Sequence, residues 1–256
     1  GRIARARFML DGQEHKLVPN MGEHQLHGGP DNFAVRRWAA QPTDHAIRFS
    51  LHSPDGDQGY PGTLDVSATY ALNGKVLSLD FEARTTKPTV INLTSHAYWN
   101  LSGGVRNAFD HLMRIDGGSY LPLNSTLLPS GEIRPVEGQS QDFRAMKRVG
   151  QAFDNCWVLD GGRGALRPGL TLRDPVSGRT MDVWTTEAGM QMYTAAHWNQ
   201  GMPGRSGPLQ PSAAIAIEPQ NFPDAVNHPN FPSAVLRPGN AYRHRIEWRF
   251  STQRKL

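Results

Sequence analysis

The 256-residue chain carries 27 lysines and arginines against 23 aspartates and glutamates, a formal net charge of +4. The basic residues are scattered or alternate with apolar ones, which is typical of a solvated strand face rather than a nucleic-acid-binding patch. No phosphate-binding loop or dinucleotide fingerprint occurs in the sequence, and no apolar run is long enough to span a bilayer. We therefore expect neither a nucleic acid nor a membrane as partner.

The cysteine content indicates the compartment. Cys156 is the only cysteine, so an intrachain disulfide is impossible, which fits a reducing, cytoplasmic location. No signal peptide is recognisable, but the sequence opens at Gly1 without a methionine, so a leader that has been removed stays an alternative.

Alternating apolar and polar residues predict β-strands along the chain. Residues 64–72 and 77–83 alternate on either side of Asn73-Gly74, a hairpin signal in which both central residues are expected to take positive φ. Residues 173–183 repeat the pattern around Asp174-Pro175 and Ser177-Gly178, and residues 242–250 alternate strictly. Further strands are predicted at 90–95, 112–115, 190–195 and 213–217, and one short helix at 142–149.

The order of these elements indicates the fold class. Hairpins outnumber strand–helix–strand units, so the sheet should be mostly antiparallel. The 26 glycines and 19 prolines fit many short strands joined by tight turns. No repeat, low-complexity tract or linker divides the chain, and large β domains often reach this length. We expect an all-β protein with a single domain over residues 1–256.

Three segments are unusual for ordinary β structure: residues 26–29, 92–101 and 215–225. In the third, Glu218 shares strand parity with Ala214 and Ala216, and a carboxylate beside small residues has room for a ligand. Pro219 restricts Glu218 to an extended backbone, which helps to fix its direction. Taken alone, Glu218 is better explained as an exposed strand-end residue, and His96 as a hydrogen-bonded core histidine.

Two other patterns suggest metal ions but are incomplete. His24 and His27 have the spacing of a ligand pair, yet no third ligand is spaced to complete a site. Asp55-Gly56-Asp57 resembles the start of a calcium loop but lacks the remaining ligands, so a turn is the better interpretation. We expect no metal ion and no other cofactor.

The unusual segments together resemble the aldose 1-epimerase (galactose mutarotase) family. The matching motifs are Arg2-Ile3, Leu26-His27-Gly28-Gly29, Ser-Pro-Asp-Gly-x-x-Gly-Tyr-Pro-Gly at 53–62, Asn-x-Thr-x-His-x-Tyr-Trp-Asn-Leu at 92–101 and Glu-x-Gln-x-x-Pro-Asp-Ala at 218–225. They occur in the family's order and cover essentially the whole chain.

The resemblance implies a large antiparallel β-sandwich and an isomerase that interconverts the α and β anomers of free aldohexoses without a cofactor. The substrate would be a small sugar such as glucose or galactose, and we expect a monomer or weak homodimer. The family's roles fall on Glu218 as general base, His96 as general acid, His27 as the second active-site histidine, and Arg2, Asp154 and Gln191 as contacts to sugar hydroxyls.

The start of the chain departs from the family's pattern. Gly1 stands where the family commonly has an asparagine, which removes one sugar contact. The family also has strands ahead of the arginine that corresponds to Arg2. We therefore expect this chain to lack its N-terminal strands.

Three alternative functions stay open from the sequence. A glycoside hydrolase would use Asp154 and Glu218 as paired carboxylates and would give His96 no essential role. A non-catalytic carbohydrate-binding protein would keep aromatic residues such as Trp99 and Phe222 in its cleft but would not need an acid–base pair. A relative acting on sugar phosphates would need a cationic clamp, for which no motif is visible.

Overall fold

The computed structural model describes residues 1–198, 203–204 and 207–252 and divides the chain into two compact units. Unit 1 comprises residues 1–93, 122–132 and 221–246, and unit 2 comprises 94–121, 133–220 and 247–256. Within the described ranges we find no α-helix, and no helix that is long and apolar enough to cross a membrane. The same ranges contain four short 3-10 helices, at Ala4–Ala6, Asp57–Gly59, Ala108–Asp110 and Ala225–Asn227.

The strands follow in chain order. The first nine lie in unit 1: β1 (Arg2–Ile3), β2 (Arg7–Leu10), β3 (Gln13–Lys16), β4 (Gln25–Leu26), β5 (Ala39–Pro42), β6 (Ala46–Ser53), β7 (Leu64–Asn73), β8 (Val76–Thr85) and β9 (Thr89–Val90). The next ten lie in unit 2: β10 (Tyr98–Trp99), β11 (Leu112–Ile115), β12 (Ser119–Leu121), β13 (Arg134–Pro135), β14 (Lys147–Arg148), β15 (Asp154–Val158), β16 (Arg167–Arg173), β17 (Arg179–Thr185), β18 (Gly189–Tyr193) and β19 (Ile215–Gln220). β20 (Val235–Leu236) lies in unit 1, and β21 (Tyr242–Thr252) begins in unit 1 and ends in unit 2.

Unit 1 contains an antiparallel meander of β5, β6, β7 and β8. Its longest pair, β7 and β8, places Val66 opposite Ala83 and Ala68 opposite Phe81. All four side chains are buried, because directly opposed residues share a face of the sheet and this face is apolar. The alternation in the sequence therefore predicted both strands and their buried face correctly. A second core cluster of unit 1 is formed by Ala6, Phe8, Leu10 and Leu17.

The turn of this hairpin differs from the prediction by one residue. Asn73 is the last residue of β7 and pairs with Val76, so the two central residues are Gly74 and Lys75 rather than Asn73 and Gly74. Only the glycine has positive φ, at 58°. A two-residue hairpin turn with glycine at its first central position needs no positive φ at the second position.

Unit 2 is an antiparallel β-sandwich. One layer has the strand order β10-β19-β18-β15-β12-β13, and in the other β14, β11, β16 and β17 are neighbours in that order. The layers pack closely, because a Cβ atom added to Gly169 of β16 would lie 3.0 Å from the terminal methyl group of Met190 in β18. Fully buried residues fill the interior: Met113, Trp157, Leu170, Leu172, Met181, Val183, Met190, Met192, Ile215 and Ile217. The all-β, antiparallel prediction is confirmed.

Strand β21 shows the predicted two-residue period. Tyr242, His244, Ile246 and Trp248 are buried on one face. The arginines between them are ion-paired: Arg243 with Glu82 at 3.2 Å, Arg245 with Asp80 at 2.8 Å and Arg249 with Glu247 at 2.7 Å. This basic stripe is therefore neutralised by the chain's own carboxylates.

The helix predicted at 142–149 is wrong. Lys147 and Arg148 form strand β14 and pair with β11, and the carbonyl oxygen of Phe143 accepts the N–H of Ile115 at 2.8 Å. Phe143 is buried against Phe153 and Trp157. Long-range pairing therefore uses the backbone groups that a helix would need, and tertiary context overrides local preference.

The other predicted strands are confirmed with shifted ends, except one. Residues 112–115 match β11, 190–195 correspond to β18, 213–217 to β19, and 173–183 contain the turn between β16 and β17. The strand predicted at 90–95 ends already at Val90, and residues 91–97 have no regular structure.

The glycine turn leads to a stability prediction. Gly74→Ala should lower the free energy of unfolding by about 1 kcal/mol or more, because a Cβ atom is disfavoured at positive φ. No atom lies within 4 Å of the added Cβ, so the loss would report the backbone conformation and not a clash. Urea denaturation measures the effect. Lys75→Ala is the matched control, and an equal loss in both variants would contradict the explanation.

Candidate active site

The candidate site lies on one face of the six-stranded layer of unit 2. Register places Tyr98, Ala216, Tyr193 and Asp154 side by side across β10, β19, β18 and β15. Directly opposed side chains point to the same face, so these four belong together. One rung further along, Glu218 of β19 is opposite Gln191 of β18 on that same face. We call this surface the polar face of unit 2.

Glu218 and His96 form the centre of the polar face. Nε2 of His96 lies 3.6 Å from Oε1 of Glu218. The side chain of Glu218 is 3% exposed and that of His96 is 35% exposed. A buried carboxylate is costly unless it is paired, and His96 next to it offers a compensating charge when protonated. The acid and base named from the sequence are thus brought together, with the histidine on the solvent side.

Asp154 and Gln191 form a second polar pair on this face. The side-chain amide of Gln191 donates a hydrogen bond of 2.6 Å to Oδ1 of Asp154. Gln191 is also the direct cross-strand partner of Glu218. Four of the six residues named from the sequence therefore lie on the polar face of unit 2.

Aromatic residues that the sequence analysis missed line the same face. The ring of Tyr98 lies 5.0 Å from that of His96 and 4.7 Å from that of Trp198, and Tyr193 meets it edge-on at 6.4 Å. Burial raises the pKa of Tyr98, and the negative groups nearby, Glu218 among them, raise it further. Its spacing of two residues from His96 was the signal that could have identified Tyr98.

The aromatic residues proposed for a binding cleft are placed elsewhere. Trp99 pairs with Ile215, so it points to the opposite face from Tyr98. Its ring packs at 5.7 Å from those of Trp248 and Phe250. Phe222 is 3% exposed and meets Phe231 edge-on. The binding-protein alternative needs Trp99 and Phe222 in its cleft, whereas in the structure both are packing residues.

The other two named residues, Arg2 and His27, lie close together in unit 1. Strands β1 and β4 pair Arg2 with Leu26, the residue before His27. The backbone on the far side of Arg2 is also held, since its carbonyl oxygen accepts the N–H of Asp224 at 3.0 Å. Oδ1 of Asp224 in turn accepts the N–H of Ala4 at 3.0 Å. These contacts fix the backbone direction of Arg2 within the unit.

The histidine–glycine segment is shaped by close packing. Gly29 has φ of 95°, a conformation that favours glycine, and a Cβ atom there would lie 2.6 Å from Oε1 of Gln58. His27 itself has positive φ, at 54°. The close neighbours of Gly29 are therefore side chains of unit 1.

The residues of the two metal-like patterns have structural partners. Nδ1 of His24 accepts the backbone N–H of Arg5 at 2.9 Å. Asp55 binds Lys87 and the N–H of Gly62, while Asp57 binds Arg36. Within the described part of the chain, no group of three or more histidine, cysteine or acidic side chains could hold a metal ion.

Comparison with known proteins identifies relatives along the whole chain. The aldose 1-epimerase family model matches residues 1–249. A galactose mutarotase from Pongo abelii is 37% identical over 260 residues, 98% of this chain and 76% of the relative. An aldose 1-epimerase from Escherichia coli (strain K12) is 32% identical over 266 residues, covering 97% and 77%. The crystal structure of a GalM/aldose epimerase homologue from C. elegans superposes with a TM-score of 0.92 at 28% identity, covering 98% of this chain and 80% of that one.

The single cysteine provides a test of how the polar face is packed. Cys156 pairs with Gln191 and is 1% exposed. Burial raises the pKa of its thiol, and the negative charge of Glu218 adds to that shift. We expect no reaction with Ellman's reagent at pH 8 in the native protein, because a reactive thiolate needs exposure and a lowered pKa. One thiol should react after unfolding in urea, and rapid labelling of the native protein would contradict this packing.

Proposed function

Because the chain belongs to the aldose 1-epimerase family, we propose that it interconverts the α and β anomers of free aldohexoses such as glucose or galactose. It is an isomerase, and in this proposal Glu218 is the general base and His96 the general acid. The observation that carries the assignment is the distance of 3.6 Å between Nε2 of His96 and Oε1 of Glu218. Both side chains lie on a surface that also offers hydrogen-bonding and aromatic groups.

The reaction requires one proton to be removed and another to be added. Glu218 takes the proton of the C1 hydroxyl while His96 gives a proton to the ring oxygen. The bond between C1 and the ring oxygen breaks, its electron pair passes to that oxygen, and C1 becomes an aldehyde. After rotation about the C1–C2 bond, the C5 hydroxyl attacks the other face of C1. His96 then takes that hydroxyl's proton, and Glu218 returns one to the C1 oxygen.

The geometry of the pair suits this chemistry. The C1 hydroxyl and the ring oxygen are bonded to the same carbon, so an acid and a base must reach two atoms that are close together. General acid and general base catalysis contribute about 10²–10⁴ each in rate.

The remaining named residues would hold the sugar. Gln191 and Asp154 are already hydrogen-bonded to each other on the polar face, and each has capacity for further bonds to hydroxyl groups. For Arg2 and His27, a role as sugar contacts stays a prediction from the resemblance to the family's motifs. The aromatic rings of Tyr98 and Trp198 offer an apolar surface for the C–H groups of a pyranose.

The alternative functions fit these observations less well. A glycoside hydrolase would use Asp154 and Glu218 and has no need of His96, yet it is His96 that lies against Glu218. A purely binding protein has no reason to bury a carboxylate at 3% exposure beside a histidine. For a sugar phosphate, the two carboxylates of the polar face would repel the ligand.

The cellular setting follows only from the sequence. We propose a cytoplasmic enzyme acting on small sugars, because the single cysteine is compatible with a reducing compartment. A monomer or weak homodimer stays the prediction for its assembly.

Substitution of the acid and the base tests the proposal. Glu218→Gln and His96→Asn should each lower kcat by about 10²-fold or more, since each removes one proton-transfer group while preserving approximate shape. Polarimetry of freshly dissolved α-D-glucose and α-D-galactose measures the rate.

Matched controls come from ion-paired residues of unit 1. His52 pairs with Asp65 at 2.7 Å, and Glu82 pairs with Arg243 at 3.2 Å. His52→Asn and Glu82→Gln should therefore keep the wild-type rate. Near wild-type rates for Glu218→Gln or His96→Asn would reject the assignment of that residue.

A second experiment tests whether a metal ion is required. We predict that mutarotation survives exhaustive EDTA treatment and dialysis, because Glu218 and His96 supply both proton transfers. Activity before and after treatment is compared by polarimetry, with a mock-treated sample as control. Loss of activity that Zn²⁺ or Ca²⁺ restores would contradict the prediction. It would favour a metal site at His24 and His27 or at Asp55 and Asp57.

A further inference from the structure

Alternate residues of the segment carrying His96 contact the segment carrying Glu218, most of them through their side chains. The two segments run antiparallel, and five consecutive even-numbered residues find partners in reverse order: Asn92 with Asn221, Thr94 with Pro219, His96 with Glu218, Tyr98 with Ala216 and Asn100 with Ala213. Only Tyr98 and Trp99 make regular backbone pairs in this region. Elsewhere, side chains replace the backbone ladder. We call residues 92–100 the partner segment.

Asn92 makes the contact at one end of this series. Its side-chain amide donates to the carbonyl oxygen of Asn221 at 2.9 Å, and its side-chain oxygen accepts the N–H of Asn221 at 2.9 Å. A carboxamide has the same donor and acceptor as a peptide group, so Asn92 imitates one residue of a neighbouring strand. Asn221 is fully buried, which makes these bonds the means by which its backbone groups are satisfied.

Thr94 binds the backbone of the residue that follows the proposed base. Its hydroxyl donates a 2.7 Å hydrogen bond to the carbonyl oxygen of Pro219, the residue that directly follows Glu218. Pro219 has no N–H to offer a neighbouring strand, so its carbonyl is the backbone group available there. Thr94 is also two residues from His96. One hydroxyl therefore links the backbone beside the base to the backbone beside the acid.

We propose that Thr94 is a positioning residue that sets the relation of His96 to Glu218, with Asn92 supporting it from the next rung. The role rests on the proposed function, since it acts through that acid–base pair. Residues 91–97 have no ladder of their own to hold His96 in place. The backbone of Leu93 is held by the side chains of Tyr242 and His244. Without the hydroxyl of Thr94, the backbone between Leu93 and Tyr98 loses its hydrogen bond to the carbonyl oxygen of Pro219, next to Glu218.

The expected effect is on the chemical step and not on sugar binding. Small misplacements of reacting groups cost large factors in rate, on the order of 10²-fold for about 1 Å. Asp154 and Gln191, the proposed sugar contacts in unit 2, lie on β15 and β18, and neither is bonded to Thr94. We therefore expect kcat to fall while KM stays nearly constant.

Isosteric variants test the hydroxyl directly. Thr94→Val keeps the shape and removes the donor, whereas Thr94→Ser keeps the donor. We expect Thr94→Val to lower kcat by about tenfold or more with KM within about twofold, and Thr94→Ser to recover most of the rate. If Thr94→Val does not fold, Thr94→Ala takes its place. It also removes the donor, adds no methyl group, and should likewise lower kcat.

Thr171 supplies the matched control. It is a half-buried threonine of the same unit, and its hydroxyl donates at 2.6 Å to Oδ1 of Asp182. Both residues lie in the layer of the sandwich that does not carry the polar face. Thr171→Val should change stability, measured by urea unfolding, but not kcat. If the folded Thr94→Val or Thr94→Ala variant has the kcat of Thr171→Val, Thr94 has no positioning role.

The double variant with His96 separates this role from a general structural one. Because Thr94 acts through His96, Thr94→Val combined with His96→Asn should have the kcat of His96→Asn alone, to within about twofold. A further tenfold loss in the double variant would overturn the proposal. Wild-type kcat in His96→Asn would instead reject the acid assignment itself, so the two failures are distinguishable.

Discussion

The site depends on the alignment of the partner segment with residues 213–221. Where backbone pairing ends after Trp99 and Tyr98, hydrogen bonds from side chains continue the contact along β19. A regular strand could not replace them completely, because Pro219 offers no N–H. The side chains give the segment a two-residue period without regular strand geometry. The same period places His96 on the side of Glu218.

Burial explains why the base needs its neighbours. Glu218 is almost completely removed from solvent, and an isolated carboxylate in that position would be strongly disfavoured. His96 can provide a compensating charge and remains open to solvent on one side. On the polar face, the sheet therefore holds the buried Glu218, while the more exposed His96 lies where a sugar could reach it.

Strands were predicted well from the sequence where one face is buried, and poorly where partners are distant in the chain. The alternation of residues 64–72 and 77–83 reports burial directly, so β7 and β8 were found. The segment at 142–149 has no such pattern, and its structure is set by β11, about thirty residues earlier. The prediction at 91–95 failed for a different reason: Asn92 and Thr94 make their contacts through side chains, which a strand pattern does not encode.

The candidate site shows the same limit at the scale of single residues. The sequence alone indicated that Glu218 and Ala216 share a face of their strand, and the family resemblance singled out Glu218 and His96. The local sequence could not tell whether Tyr98 or Trp99 shares the face of Glu218, because a shift of one residue exchanges the two faces of a strand. The register decides it: Tyr98 is opposite Ala216, the small residue that leaves space beside Glu218. A large side chain at 216 would stand between Tyr98 and Tyr193, so the alanine is what allows the aromatic rings and the acid–base pair to occupy one surface.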